Sequence, residues 1–167
     1  TPSVVSVMED GSVAVGQIAK ERLITHPKDT AASFKKKMGT TQNYVLGGRN
    51  FLPEELSGFV ISAIVEDARN YLQEDVEDVI ISVPAYFHDK QRVATNRAGA
   101  LAGVMVKRII NEPSAAALAS YFDTRQEQLF LVFDFGGGTL DVSIVDCFDT
   151  MVEILAVSGD DHLGGDE

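Results

Sequence analysis

The feature that most constrains this chain is residues 129–145, Leu-Phe-Leu-Val-Phe-Asp-Phe-Gly-Gly-Gly-Thr-Leu-Asp-Val-Ser-Ile-Val. Leu129 to Phe133 are continuously apolar, which predicts a strand buried on both faces. Asp134 ends the apolar run, and Gly136, Gly137 and Gly138 follow. Beyond them the pattern alternates, with Leu140, Val142 and Ile144 on one face and Asp141 and Ser143 on the other, predicting a second strand. Strand, glycine turn, strand excludes a dinucleotide fingerprint and a P-loop, because both require a helix after the glycines. No Gly-Lys-Ser or Gly-Lys-Thr occurs anywhere in the chain.

Two readings of the glycines stand side by side. Glycine can take φ > 0 and leaves no Cβ between backbone N–H groups and a ligand. Successive N–H groups in such a turn form a concave site suited to phosphate. Asp134, at the carboxyl end of its strand, could hold a hydrated Mg²⁺ beside those phosphates, and Thr139 supplies a hydroxyl at the same height. The alternative is a tight hairpin with an ordinary capping Asp. The acid ahead of the turn and the Thr-x-Asp behind it favour phosphate.

The 167 residues suffice for one large domain or two small ones. A formal charge of −11 argues against a nucleic-acid partner, since no basic stripe is available to neutralise phosphates. Cys147 is the only cysteine, so neither an internal disulfide nor a cysteine-rich metal site can form. His26, His88 and His162 lack partners at metal-ligand spacing. There is no signal peptide and no apolar run of about 18 residues, so no membrane span is expected and a cytoplasmic location is. The opening Thr1-Pro2-Ser3 without an initiator Met, and the turn-like close Gly164-Gly165-Asp166-Glu167, suggest a piece of something larger.

Along the chain, residues 4–8 and 13–15 predict a hairpin turned by Asp10-Gly11. Residues 17–24 have helical spacing and end before His26-Pro27. Asp29 or Thr30 is positioned to cap a short helix through Met38, with Ala32, Phe34 and Met38 toward the core and Gly39 as its stop. That segment carries Lys35, Lys36 and Lys37. Such a run is ordinarily a solvated face, although one lysine turned inward could meet a phosphate or an attacking water. Residues 44–46 and 50–52, around Gly47-Gly48, predict another hairpin. Residues 53–73 predict the clearest helix, with Pro53 at its first position and Glu54 and Glu55 favoured by the macrodipole. Its apolar stripe is Leu56, Phe59, Val60, Ala63, Ile64, Ala68 and Tyr71.

Residues 79–83 then predict a buried strand broken by Pro84. A helix over 89–102, a strand over 104–110 and a helix over 112–121 follow, a βαβ grammar with parallel pairing. In such sheets ligands lie beyond the carboxyl ends of strands, where Pro84 and Asn111-Glu112-Pro113 fall. Glu112 caps its helix on one reading and orients a metal-bound water on the other. A polar connector over 123–128, the glycine hairpin and a third antiparallel strand over 152–157 complete the chain.

These residues carry a resemblance. Ile81-Ser-Val-Pro-Ala-Tyr-Phe87 with Gln91-Arg92, Lys107-Arg-Ile-Ile-Asn-Glu-Pro-Ser-Ala-Ala-Ala117, Val132-Phe-Asp-Phe-Gly-Gly-Gly-Thr-Leu-Asp-Val142 and His162-Leu-Gly-Gly-Asp-Glu167 resemble the nucleotide-binding domain of DnaK-type 70-kDa heat-shock chaperones. Thr25-His-Pro, the Ala-Ala-Ser-Phe-Lys segment from Ala31 and Pro53-Glu-Glu-Leu-Ser57 look most like the HscC branch.

The resemblance implies an α/β, actin-like ATPase (ribonuclease H-like) fold, here incomplete: residues 1–76 like subdomain IB, 77–125 like part of IA and 126–167 the start of IIA. It implies ATP or ADP with Mg²⁺ as cofactors, and unfolded peptide clients and a J-domain co-chaperone as partners of the full-length parent. Lys35 matches the lysine that positions the attacking water, which overrides the solvated-face reading for that residue. Glu112 and Asp134 match cleft acids near Mg²⁺, and Thr139 matches the threonine beside the γ-phosphate. Gly136, Gly137, Gly138, Gly164 and Gly165 match phosphate-contacting turns. Pro84 and Arg92 match a proline switch and its arginine relay.

Three departures bear on these expectations. The family's first phosphate loop would lie before Thr1, and its adenosine-binding segment and peptide-binding domain after Glu167. His88 stands where a capping Asn or Ser is expected, so Asp89 is the expected cap. With partner strands missing, residues 79–83 and 106–110 would expose edges that invite self-association, and the isolated piece would bind ATP weakly or not at all. Other members of the superfold, sugar kinases and filament proteins, share the glycine turn and form the alternative reading.

Overall fold

In the computed structural model, which describes residues 1–124, 127–137, 139–148, 151–160 and 163–165, the Asp10-Gly11 signal makes the predicted hairpin. β1 (Val4–Val7) pairs antiparallel with β2 (Val13–Val15), Val7 opposite Val13. The Asp10 carboxylate accepts from the Ser12 hydroxyl at 2.6 Å and the Ser12 N–H at 2.9 Å. Those bonds, the hydroxyl first, hold Asp10 below the usual carboxylate range.

The molecule divides into two units, one of Thr1–Ile80 with His88–Arg108 and one of Ile81–Phe87 with Ile109–Glu167. In the first, β1 also pairs antiparallel with β3 (Thr30–Ala32), so the sheet order is β2-β1-β3. This corrects the helix expected over 29–38. Only a short 3₁₀ turn, Phe34–Lys37, follows the strand. Pairing to β1 outweighs the helix preference of two alanines, because propensity is a weak prior that tertiary contacts override. A buried polar cluster also fixes Thr30: its hydroxyl lies 2.9 Å from that of Ser6 and 2.8 Å from the His26 carbonyl. The Ser6 hydroxyl accepts from Arg22 Nε at 2.8 Å, so these buried groups are satisfied.

α1 (Gln17–Thr25) stops before Pro27, as the proline dictates. β4 (Tyr44–Leu46) and β5 (Arg49–Phe51) form the predicted hairpin around Gly47-Gly48. α2 (Pro53–Leu72) begins at Pro53, and Glu55 Oε2 accepts the Leu52 N–H at 2.7 Å, the return half of a capping box. Its stripe is buried at Leu56 and Val60 but not at Ile64 (47% exposed) or Tyr71 (87%), and Val65 is buried in their place. The core of this unit gathers Val5, Val7, Ala31, Phe34, Leu46, Phe51, Leu56 and Val60. α2 packs against α3 (Asp89–Leu101). His88, not Asp89, is the cap of α3: its N–H donates to Gln91 Oε1 at 2.8 Å.

β6 (Asp78–Val83) pairs with β7 (Met105–Asn111). The Met105 N–H donates to the Glu77 carbonyl at 2.7 Å, and Lys107 Nζ lies 3.3 Å from Asp78 Oδ2. Both strands run onward from that shared start, the parallel sense that the βαβ grammar predicts. β6 is not buried throughout, since Ile80 is 63% exposed.

In the second unit α4 (Glu112–Thr124) packs on an antiparallel sheet of order β10-β9-β8, formed by β8 (Gln128–Phe135), β9 (Leu140–Phe148) and β10 (Met151–Asp160). The covered face carries Val145 and Cys147 with Phe130, Val132, Val152 and Ile154, against Ala117 and Tyr121. Two expectations are corrected here. β8 is not buried on both faces, for Leu129, Leu131, Phe133 and Phe135 are exposed. The alternation of β9 is right, but its covered residues are Ser143, Val145 and Cys147 rather than Leu140, Val142 and Ile144. An antiparallel sheet covered by one helix layer keeps one face open. Among the described residues no helix is long and apolar enough to cross a membrane.

Leu56→Ala should lower unfolding free energy by about 2–5 kcal/mol, whereas Ile64→Ala and Tyr71→Ala should stay within about 0.5 kcal/mol, as urea titration would show. Burial, and then the Asp146 charge, raises the Cys147 thiol above its ordinary value. Its stabilising contribution is therefore whole below the unfolded thiol value, about 8.5, and is lost as pH rises through the folded one. Between pH 8 and pH 10 (about the range just above the unfolded value), thermal midpoints should fall less steeply for Cys147→Ala than for the native chain.

Candidate functional site

The glycine turn at residues 136–139 joins β8 to β9 with Phe135 opposite Leu140. Across its mouth the Gly136 N–H donates to the Thr139 carbonyl at 3.0 Å. The second glycine turn comes to the same place: the Gly165 N–H donates to the Gly136 carbonyl at 3.0 Å. Residues 29 positions apart in sequence are thus joined by one backbone bond. Gly137 is exposed and Gly164 half-buried in these turns, while Gly138 lies outside the described residues.

Neither Gly136 nor Gly165 lies in the left-handed region, so positive φ is not what glycine supplies there. A Cβ would meet the nearest carbonyl only at 3.8 Å on Gly136 and 3.9 Å on Gly165. What glycine contributes is an uncovered backbone beside the turn.

The register that sets Phe135 against Leu140 also sets Asp134 directly against Asp141. Directly opposed residues point to the same face of a hairpin, so two carboxyl groups flank the turn. Asp141 in turn faces Gly159 on β10, where an added Cβ would overlap the Leu140 carbonyl oxygen and come 3.1 Å from Asp141 Oδ1. The pairing of the two acids was readable in advance: once Phe135 and Leu140 bracket a four-residue turn, Asp134 and Asp141 must be partners.

Glu112 opens α4, whose body packs over β8, β9 and β10. Pro84 is buried and its carbonyl accepts the Phe87 N–H at 3.1 Å, closing a turn over residues 84–87. Phe87 is 7% exposed and meets Tyr86 edge-on, centroids 6.1 Å apart. These residues, with Asp134, Thr139 and the glycines, belong to the second unit.

Lys35 and Arg92 belong to the first. Lys35 is an exposed residue of the 3₁₀ turn, which follows Ser33 at φ 55, a left-handed conformation uncommon for serine. The turn closes with the Met38 N–H donating to the Lys35 carbonyl at 3.2 Å. Met38 is buried and lies 3.3 Å from the Ser57 hydroxyl of α2, pinning the lysine turn to that helix. Arg92 is half-buried in the first turn of α3, its N–H donating to the His88 carbonyl at 3.1 Å.

With that geometry in view, comparison with family models shows that the model for Hsp70 protein matches residues 1–46 and 41–167, the length of the chain. The chain belongs to the Hsp70 family. Membership implies the actin-like ATPase fold, with which these mixed α/β units are consistent, and supports assignment to a chaperone ATPase domain. The Hsp70 family generally binds ATP or ADP with Mg²⁺, and its members engage unfolded clients and J-domain co-chaperones.

The second unit's residues fit such a ligand. Mg²⁺ keeps several waters and takes one or two carboxylates plus phosphate oxygens, which suits an opposed pair beside an uncovered glycine turn. Among the described residues no group of three or more His, Cys, Asp or Glu is arranged around a metal.

Like charges placed directly opposite each other destabilise a strand pair. Asp134→Asn should therefore raise the unfolding free energy of this Hsp70 chain, by about 0.2–1 kcal/mol at low salt. The gain should shrink as salt is added, as thermal melts in a salt series would show.

Proposed function

We propose that this chain is part of an ATP-binding and ATP-hydrolysing domain of a molecular chaperone, closest to the HscC branch. In the full-length parent, turnover would drive capture and release of unfolded peptides with a J-domain partner in the cytoplasm. The observation that carries the reading is the backbone bond from Gly165 to Gly136, which draws two glycine turns together beside the opposed Asp134 and Asp141. The subdomain reading belongs to the same proposal: residues 1–76 from IB, 77–125 from part of IA and 126–167 from the opening of IIA. The family match does not favour a sugar kinase or a filament protein.

In this reading Gly136, Gly137, Gly138, Gly164 and Gly165 belong to turns that contact phosphate oxygens through backbone N–H groups, while the N–H groups of Gly136 and Gly165 hold the turns themselves together. Thr139 donates its hydroxyl beside the terminal phosphate, and Lys35 orients the attacking water with its ammonium group. Glu112 accepts a hydrogen bond from water in the cleft, and Asp134 holds the hydrated cation. Mg²⁺ supplies charge neutralisation on the phosphate oxygens when bound. The protein's part is positioning and electrostatic stabilisation, with little covalent chemistry of its own. Pro84 and Arg92 relay the nucleotide state toward the peptide-binding part of the parent.

Lys35→Ala or Thr139→Ala in the full-length parent should slow single-turnover ATP hydrolysis by about 10²–10³-fold. The denaturation midpoint should stay near that of the parent. Rates equal to the parent's would remove both residues from the mechanism.

A further inference from the structure

The lysine turn is bracketed by two left-handed residues, Ser33 at φ 55 before it and Gly39 at φ +72 after it. Gly39 does more than end the turn. A Cβ there would lie 2.8 Å from both the carbonyl carbon and the oxygen of Lys90, and 3.0 Å from the Gln91 nitrogen. Those atoms are backbone in the first turn of α3, so no rotamer change can relieve the overlap. The main chain leaving the lysine turn therefore rests directly on the main chain that carries Arg92.

Other contacts make this joint stiff. Met38, next to Gly39, is 3% exposed and held at α2 by the Ser57 hydroxyl. α2 approaches α3 closely at Gly58, where a Cβ would lie 3.2 Å from Leu101 Cβ and 3.3 Å from the Ala98 carbonyl oxygen. The lysine turn, α2 and α3 thus form a closed triangle. At its Gly39 vertex the separation is set by backbone against backbone. A close-packed arrangement of this kind transmits a displacement instead of absorbing it.

We propose that Gly39 is a positioning residue that registers the Lys35 turn on the first turn of α3, so that Lys35 and Arg92 move as one frame. The functional half rests on the ATPase reading above, while the mechanical half rests on the geometry alone. Any side chain at position 39 separates the two backbones and displaces Lys35 without touching nucleotide.

A matched control exists in the same unit. Gly48 has the same φ of +72, but nothing lies within 4 Å of its Cβ position. Gly39→Ala and Gly48→Ala share the cost of a side chain in a left-handed conformation, and only the first adds the collision. Gly39→Asn is the companion variant if Gly39→Ala folds poorly, because Asn tolerates that conformation yet still carries a Cβ.

In the full-length parent, Gly39→Ala and Gly39→Asn should lower kcat for ATP hydrolysis by about tenfold or more, with KM for ATP within about twofold, the signature of lost positioning rather than lost binding. Amide exchange at Gln91 and Arg92, followed in peptides over 88–94, should quicken by about tenfold in both. Gly48→Ala should do neither. Wild-type kcat in the Gly39 variants, or an equal loss in Gly48→Ala, would overturn the positioning role. Unchanged exchange at Gln91 and Arg92 would overturn the joint itself. If Lys35→Ala in the same background hydrolyses ATP normally, the ATPase reading fails and takes the functional half with it. The exchange experiment needs no nucleotide and judges the mechanical half separately.

Discussion

The antiparallel register of β8 and β9 is the constraint on which the rest of the candidate site depends. Pairing Phe135 with Leu140 leaves a four-residue turn whose ends are tied by the Gly136–Thr139 backbone bond. The same register places Asp134 against Asp141, and the carbonyl of Gly136 is left to receive the Gly165 N–H. A slip of one residue would send each acid to the opposite face of the sheet. The register is protected because Val145 and Cys147 are buried in the core shared with Ala117 of α4, so a slip would expose those two apolar residues.

The first unit achieves precision by different means. Ser6, Thr30 and Arg22 form a hydrogen-bonded cluster that ties β1, β3 and α1 together. Elsewhere close backbone approach takes over. Gly47 sits where a Cβ would come 2.5 Å from Val7 Cγ1, and Gly39 rests on Lys90. Neither position could take a larger residue without moving its neighbour. The turn bearing Lys35 is short, left-handed at both ends and anchored by buried Met38, so an exposed lysine is presented from a rigid base.

Much of this was legible in the residues. Asp10-Gly11 and Gly47-Gly48 announced their hairpins because tight turns need conformations that few residues adopt. Pro27 stopped α1 and Pro53 started α2 for reasons internal to the proline ring. The motifs around Pro84, Glu112 and Gly136 pointed to the family that the whole-chain match then gave. What stayed hidden was non-local. Thr30 to Ala32 reads as a helix start in isolation and became a strand because β1 lay beside it. The run from Leu129 to Phe133 reads as doubly buried, yet hydrophobicity does not say how many layers cover a sheet. His88 supplied a cap through its backbone N–H and Gln91, with no capping side chain of its own.

From sequence alone came most of the strands and helices, the two glycine turns, the acid ahead of the first of them and the Hsp70 resemblance, because all of these are written in local residue pattern. Tertiary structure decided which face of β9 is covered, that Gly165 bonds back to Gly136, and that Gly39 lies against Lys90. Those outcomes depend on contacts between residues far apart in the chain. No local pattern encodes them, since they exist only once the packing of whole elements has fixed how closely two backbones approach.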